Sequence, residues 1–129
     1  RELSPGQVLL DARDEHGKGV AVRTSDRFTL ELVMSDGQTK AAWDSDPGTH
    51  PGTLRVGEWQ HVAVIVDGGP KVVSFVVDGQ FNDGGAARQF GWGRFPPALA
   101  DVNGASEATI APALSGELGV VRCYTRYLR

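Results

Sequence analysis

The stretch GEWQHVAVIVDGGPKVVSFVVDGQF, Gly57 to Phe81, contains two valine-rich runs separated by a turn that carries Gly and Pro. Both runs are apolar at consecutive positions, which is typical of central strands covered on both faces. After the second run, Asp78 and Gly79 favour a tight turn with positive φ. The stretch therefore predicts a β-hairpin followed by a short third strand. The residues expected to form its core face are Val62, Val64 and Val66 in the first run and Val73, Phe75 and Val77 in the second.

The same strand signal recurs on both sides of this stretch. In FTLELVM, alternation predicts a half-buried strand with Thr29 and Glu31 on its solvent face. Asp36-Gly37 favours a hairpin after it, so the first four strands are expected to form a meander. The buried face of FTLELVM would carry Phe28, Leu30, Leu32 and Met34, and further strands are predicted in GQVLLDAR, GVAVRT, TKAAW, LADVNG, ATIAPAL and GELGVVRCYTRYL. About ten short strands and no convincing helix indicate an all-β, antiparallel two-sheet β-sandwich of jelly-roll type.

Composition excludes several classes of protein. The chain has 129 residues, the size of a single domain, and a formal net charge of −3, so it lacks the basic excess of a nucleic-acid binder. No apolar run approaches the roughly 20 residues of a membrane-spanning helix. One cysteine, Cys123, permits no internal disulfide. Because it alternates with Val121 in the last predicted strand, Cys123 is expected to point into the core.

Two motifs give the chain a resemblance to a known family. The unit around Trp59, His61 and Val62, followed by Val77-Asp78-Gly79, resembles laminin-G-like, concanavalin A-like jelly rolls, in which such a strand, turn and strand recur. The end of the chain resembles the family's closing strand through Gly116, Val121, Arg122, Tyr124, Arg126 and Leu128. The resemblance covers Val8 to Leu128 and implies a concanavalin A-like fold in which Trp59 and His61 are core and hydrogen-bonding residues.

The resemblance also bears on domain organisation. Residues 1–129 are expected to form one laminin-G-like domain, a fragment of a larger protein because the chain begins on Arg1 instead of Met. Members of the family begin with an apolar strand beside the closing strand, and the chain shows no such strand. The domain is therefore expected to lack its first strand or to receive it from residues outside the fragment.

The acidic residues of the chain bear on catalysis and metal binding. Glucanases of this architecture carry a Glu-x-Asp-x-x-Glu strand, whose short spacing suits retaining hydrolysis, and this chain has no such motif. No catalytic residue and no cofactor are therefore predicted. Relatives often hold calcium, for which Asp44 with Asp46, or Asp11 with Asp14, could supply oxygen ligands. We favour solvated turn residues over calcium ligands as the explanation for these acids, and no metal site is assigned.

Aromatic residues in loops indicate a sugar-binding site. Trp43 and Asp44 lead into a long loop with Pro and Gly, and QFGWGRF places Trp92 between two glycines, close to Arg94. Indole rings stack on sugar rings, and polar side chains fix the hydroxyl groups. The predicted carbohydrate-binding residues are therefore Trp92, Arg94, Trp43 and Asp44. Alternatively, Trp43 caps the core and Phe90 or Phe95 fills the sandwich.

The resemblance, with which these residues are compatible, implies a non-catalytic carbohydrate-binding or adhesion module of a larger secreted or cell-surface protein, such as a bacterial glycan-degrading enzyme. Its expected partners are a glycan or polysaccharide and a neighbouring domain of the same chain, without nucleic acid and without a membrane span. One alternative is a structural module that packs against a catalytic domain and binds no sugar. The other is a glycoside hydrolase or lyase of the same fold, which would need paired carboxylates.

Overall fold

The computed structural model describes residues 4–45, 53–82, 93–94 and 96–126, and this part of the chain contains strands in two antiparallel sheets and no helix. The strands are β1 (Val8–Asp11), β2 (Gly19–Thr24), β3 (Leu30–Ser35), β4 (Lys40–Asp44), β5 (Val62–Asp67), β6 (Val72–Val77), β7 (Gln80–Asn82), β8 (Gly93–Arg94) and β9 (Thr109–Ala113). The predicted all-β, antiparallel two-sheet fold class is confirmed.

The larger sheet has the strand order β4-β3-β2-β1-β9, so the predicted meander of the first four strands is confirmed. Its β3–β4 hairpin turns at Asp36 and Gly37, where the Asp36 N–H donates to the Thr39 carbonyl over 3.1 Å. Gly37 has φ of 95°, a backbone conformation that a residue without Cβ adopts at little cost. On the other side of the sheet, β9 pairs with β1 and places Ile110 opposite Leu10.

The smaller sheet contains the stretch that predicted the fold. β5 and β6 pair as a hairpin in which Val64 lies opposite Phe75. Asp78 and Gly79, with φ of 50° and 77°, form the two-residue turn from β6 to β7, and positive φ at both positions matches the right-handed twist of the flanking strands. Val62 pairs with Val77 and Val66 with Val73 in the same hairpin. Val66 was expected on the core face, but it is 41% exposed, because β5 lies at the edge of the smaller sheet among the described strands.

The core lies where β3 of the larger sheet faces β6 of the smaller one. Its fully buried members are Leu32, Met34, Val73, Phe75 and Leu99. Val20, Val22, Trp43, Val64 and Val102 pack around them. Side chains alternate along β6, so the residues between these core positions point to the opposite, outer face of the smaller sheet.

The turn from β2 to β3 differs from the prediction. Phe28 was expected on the buried face, but it lies outside the strand, has φ of 60° and is 51% exposed. Thr29 was expected in solvent, but it is buried, and its hydroxyl lies 2.6 Å from Ser25 Oγ. The chain reverses between Ser25 and Thr29, whose main chains are hydrogen-bonded, and this reversal shifts the first residues of the pattern out of the strand.

Two further strand predictions are wrong within the described residues. The segment Leu99 to Gly104 forms no strand and crosses the β1–β2 loop instead. A Cβ on Gly104 would lie 2.2 Å from the Lys18 carbonyl oxygen, so only glycine permits this approach. The neighbouring Ala105 N–H donates to the Ala12 carbonyl over 2.9 Å. Leu99 still fills the core, which explains why its segment has an apolar pattern.

The closing segment, residues 117–126, also forms no strand with the described sheets. Its apolar side chains are exposed, including Val120 and Tyr124. Cys123 is exposed as well, so its predicted burial is wrong. Alternation makes a segment suited to a sheet, but a strand also needs a neighbouring backbone to accept and donate its hydrogen bonds.

Hydrogen-bonded carboxylates fasten the loops at one end of the sandwich. Asp36 Oδ1 accepts from the Thr39 and Gln38 N–H groups, and Oδ2 accepts from Ala100. The Thr39 bond is the main cause of a lowered Asp36 pKa. Lys18 Nζ lies 2.9 Å from Asp101 Oδ2, and this bond raises the pKa of Lys18. These contacts hold the segment after Leu99 against the hairpins.

Candidate functional site

The outer face of the smaller sheet presents an aromatic ring and a cation to solvent. β7 and β8 both pair with β6, placing Phe81 opposite Val76 and Arg94 opposite Val72. Val73, Phe75 and Val77 are buried, so Val72, Ser74 and Val76 point outward together with the residues opposite them. We refer to Phe81, Ser74 and Arg94 as the outer-face site.

The side chains of the outer-face site are exposed, and their spacing along β6 sets the length of a ligand that could contact both ends. The Phe81 side chain is 56% exposed. The Arg94 side chain is exposed and forms no ion pair with any described carboxylate. The four-residue step from Val72 to Val76 corresponds to about 13 Å along β6. A ligand that contacts both side chains must therefore be elongated, and Ser74 lies between them.

Trp43 contacts the outer-face site from the core side of the smaller sheet. It lies on the core-facing side of β4, opposite Leu32, and packs against the core. Its Nε1 donates a hydrogen bond to the Arg94 carbonyl over 3.2 Å, although the two residues are 51 positions apart. The structure thus brings together two of the four predicted site residues. It gives Trp43 the core-capping position that was the alternative interpretation, while leaving the ring partly accessible.

Asp44 is engaged within the protein. Its side chain is 12% exposed, Oδ1 accepts a hydrogen bond from Arg27 Nη2, and Oδ2 accepts from Thr29 Oγ1 over 2.7 Å. These contacts tie the β2–β3 turn to the end of β4. A sugar hydroxyl would have to displace one of them to reach the carboxylate, so Asp44 is placed to hold the loop and not to receive a ligand.

The fourth predicted residue, Trp92, lies outside the described residues, as do Phe90 and Phe95. In the sequence, Trp92 directly precedes β8. Its role in sugar binding stays a prediction.

A comparison with protein families accounts for this architecture. A family model described as Laminin_G_3, concanavalin A-like lectin/glucanases superfamily, matches residues 5–129. The chain belongs to this family. No curated protein and no solved structure matches the chain. The resemblance drawn from the Trp59 and closing-strand motifs is confirmed, and the laminin G-like domain falls in a superfamily of lectins and glucanases.

Two aromatic residues of the laminin G-like domain have positions that the sequence did not predict. Trp59 was expected in the core, yet it is 70% exposed and lies near Gly119 of the closing segment. It precedes β5, which begins only at Val62, so sheet packing does not draw it inward. Phe81 was assigned only to a short strand. Its sequence signal was the two-residue Asp78-Gly79 turn, which fixes register and therefore the face on which Phe81 lies.

Of the carboxylates considered for calcium, Asp11 and Asp14 are hydrogen-bonded within the laminin G-like domain. Both Asp11 oxygens accept from the Arg13 guanidinium, at 2.9 and 2.7 Å, and this bond lowers the pKa of Asp11. Asp14 Oδ1 accepts from the His16 and Lys18 N–H groups. Within the described ranges, no group of three or more His, Cys, Asp or Glu side chains could hold a metal ion. Asp46 lies outside those ranges.

The described part of the laminin G-like domain also contains no helix that is long and apolar enough to cross a membrane.

Proposed function

We propose that this domain is a non-catalytic carbohydrate-binding module that holds an elongated glycan on the outer face of its smaller sheet. Membership of the concanavalin A-like lectin/glucanase superfamily supports a carbohydrate-binding type of domain. We further propose that it belongs to a larger secreted or cell-surface protein, with a bacterial glycan-degrading enzyme as the expected parent, and that it works without a cofactor.

The observation that carries the proposal is the exposed Phe81 ring on the same face as Arg94. The CH groups of a pyranose ring pack on an aromatic face, and a guanidinium donates several hydrogen bonds in a fixed fork. Ser74 adds a hydroxyl between them. Trp92 precedes β8 in the sequence and is the predicted additional stacking residue.

A glycan array followed by calorimetry tests the proposal. The wild-type domain should retain at least one glycan, and Phe81→Ala and Arg94→Gln should each lower its affinity about tenfold, which corresponds to about 1.4 kcal/mol. Tyr124→Ala is the matched control because Tyr124 is 58% exposed and lies in the closing segment. Equal losses in the control and the site variants would refute the outer-face site.

Trp92→Ala extends the same experiment. If Trp92 contacts the glycan, this change should abolish binding and leave unfolding in urea within about 1 kcal/mol of wild type. A loss of about 3 to 5 kcal/mol would instead identify a buried ring with no direct role in binding. Unchanged binding would show that Trp92 does not contact the glycan, and Phe81 and Arg94 would then remain as its binding residues.

The release of a reaction product would distinguish a catalytic domain from one that only binds the glycan. Incubation of the retained glycan with the domain should release no reducing ends and no unsaturated sugars. Release that exceeds the background of a heat-denatured sample would establish a hydrolase or lyase and overturn the non-catalytic proposal.

A structural module is the second candidate function, and one observation favours it. The closing segment exposes Leu118, Val120 and Val121 beside the exposed Trp59. Exposed apolar side chains that lie together are a feature of surfaces that dock another protein. A silent glycan array combined with co-purification of a neighbouring domain expressed from the parent gene would support this function over sugar binding.

A further inference from the structure

A second polar site lies on the larger sheet, away from the outer-face site. An open cleft of about 370 Å³ is present where β2 ends and β3 begins. Its walls include Pro5 and Gly6 from the N-terminal segment, and Arg23, Asp26 and Glu31 from the hairpin. This volume is at the lower end of the range for small-molecule sites, so it accommodates a ligand of about one sugar ring.

Arg23 and Glu31 form the chemical centre of this cleft. They are direct cross-strand partners, and Arg23 Nε donates to Glu31 Oε2 over 2.7 Å. Their neighbours Val22 and Leu32 pack in the core, so both charged side chains point to the outer face of the larger sheet. The pair is partly withdrawn from water, with the two side chains 30% and 21% exposed.

The Arg23–Glu31 pair retains unused hydrogen-bonding capacity. No described residue hydrogen-bonds to the terminal nitrogens of Arg23 or to Glu31 Oε1. A guanidinium has five N–H donors, and a carboxylate oxygen has two lone pairs. The cleft therefore presents donors and an acceptor side by side. Because the pair is partly buried, a hydrogen bond from a ligand to either side chain is stronger there than in open solvent.

Hydrogen bonds hold the cleft wall in place before any ligand binds. Gly6 N–H donates to the Thr24 carbonyl over 2.8 Å, and Thr24 N–H donates to the Gln7 carbonyl over 2.9 Å. The buried Thr24 hydroxyl also accepts from Gln7 N–H and donates to the Ser4 carbonyl. These bonds fasten the N-terminal segment to the end of β2, so little ordering is required on binding.

We infer that this cleft binds two adjacent hydroxyl groups of a neutral sugar, with the Arg23 guanidinium donating to one oxygen and Glu31 Oε1 accepting from the other. Charge selects a neutral ligand. The two carboxylates of Glu31 and Asp26 and the one guanidinium of Arg23 give the cleft a net negative charge, which disfavours a phosphate or sulfate. The guanidinium disfavours a metal cation. A vicinal diol offers donor and acceptor oxygens at the spacing of a side-by-side pair. The inference rests on the proposed function for its ligand class, but it concerns a separate site.

The test is an NMR titration of the ¹⁵N-labelled domain with three probes: methyl α-D-glucopyranoside, methyl α-D-mannopyranoside and methyl β-D-galactopyranoside. At least one should shift the Arg23 Nε–H signal and the amides of Thr24, Asp26 and Glu31. The same sugar with all its hydroxyls methylated should not shift them, because it cannot donate to Glu31. If none of the three probes moves these signals up to their solubility, the inference is wrong.

Paired variants separate binding from folding. Arg23→Met and Glu31→Gln should each weaken the responding probe about tenfold. The matched control is the exposed Arg55–Glu58 pair, whose ions lie 2.9 Å apart, with Arg55→Met and Glu58→Gln expected to leave binding unchanged. Retained amide dispersion shows that a variant is folded. Equal weakening in both pairs would overturn the inference, as would a stronger response of the cleft signals to inorganic phosphate.

The two proposals fail in different ways. Loss of glycan binding in Phe81→Ala with no cleft response to sugars supports the outer-face site and overturns the second site. A cleft response with an unchanged Phe81→Ala variant supports the second site and overturns the outer-face site.

Discussion

The indole Nε1 of Trp43 donates a hydrogen bond to the main-chain carbonyl of Arg94 over 3.2 Å, and this bond joins β4 of the larger sheet to β8 of the smaller one. Trp43 also packs against the core, so its ring fills space and holds β8 in place. A residue predicted to bind sugar directly therefore positions another predicted residue, Arg94, whose side chain faces solvent.

Two substitutions of Trp43 should separate the contributions of its packing and of its hydrogen bond to the free energy of unfolding. We expect Trp43→Phe to lower the free energy of unfolding by about 1 kcal/mol through the lost bond. Trp43→Ala should cost about 3 kcal/mol, near the lower end for large aromatic truncations, because the ring is only half-buried. Urea unfolding measures both. Equal costs for the two variants would contradict this division of roles.

Phe75→Ala should be among the most damaging changes in the smaller sheet. Phe75 is fully buried opposite Val64, so its removal should lower the free energy of unfolding by about 3 to 5 kcal/mol. Val76→Ala, one position along the same strand and pointing outward, is the control and should cost less than about 1.5 kcal/mol. The opposite order would mean that the faces of β6 are exchanged.

Acid should weaken the domain partly through Asp36. Main-chain hydrogen bonds, led by that from Thr39, hold its folded pKa below the ordinary 3.8. A lowered folded pKa contributes stability above the unfolded value, and this contribution is lost as the pH falls through the folded value.

Asp36→Asn should therefore be less stable than wild type near pH 7, and the difference should shrink as the pH falls below 3.8 and through the lower folded pKa. Urea midpoints measured across this range show the effect. Glu107→Gln is the control because Glu107 is exposed and has no side-chain hydrogen bond to the described residues. A constant difference between Asp36→Asn and wild type at every pH would exclude the linkage.

Phe28→Asn should stabilise the β2–β3 turn. Phe28 has φ of 60° with an exposed ring, and left-handed backbone is costly for bulky residues but tolerated by Asn. We expect a gain of about 1 kcal/mol in the free energy of unfolding. Phe28→Ala controls for loss of the ring alone and should gain less. A destabilised Phe28→Asn would show that the ring makes contacts that outweigh the strained backbone.

Cys123 should react readily with a thiol reagent in the folded domain. Its side chain is exposed in the closing segment, so labelling with a chromogenic disulfide should proceed within a few-fold of the rate in denaturing urea. Cys123→Ser should abolish the signal, since the chain has no other cysteine. Strong protection in the folded state would instead support the burial predicted from alternation with Val121.

Much of the fold is predictable because it depends on local chemistry. The Asp36-Gly37 and Asp78-Gly79 turns require φ values that few residues accept, and each joins two runs with strand periodicity. Turn length then fixes register, so the two-residue Asp78-Gly79 turn places Phe81 opposite Val76. The predicted hairpins, meander and inner face of β6 follow from these facts alone.

The candidate sites are less predictable because they join residues that are remote in the chain. The sequence singles out Trp43 and Arg94 as separate loop residues, but only the packing of the two sheets makes one of them support the other. Asp44 is a plausible ligand by composition, yet Arg27 and Thr29 occupy its oxygens. The cleft at Arg23 depends on register and on the docking of residues near Gly6.

The family, the all-β class and the hairpins can be inferred from the sequence, because alternation, turn residues and short motifs act over a few positions. Which alternating segments become strands depends on the tertiary structure. ATIAPAL contains β9, which pairs with β1, whereas GELGVVRCYTR pairs with no described strand. The exposure of Trp59 likewise depends on the tertiary structure. The physical reason is that a strand needs a neighbouring backbone for its hydrogen bonds, and burial needs an opposing surface, and neither can be supplied by the segment itself.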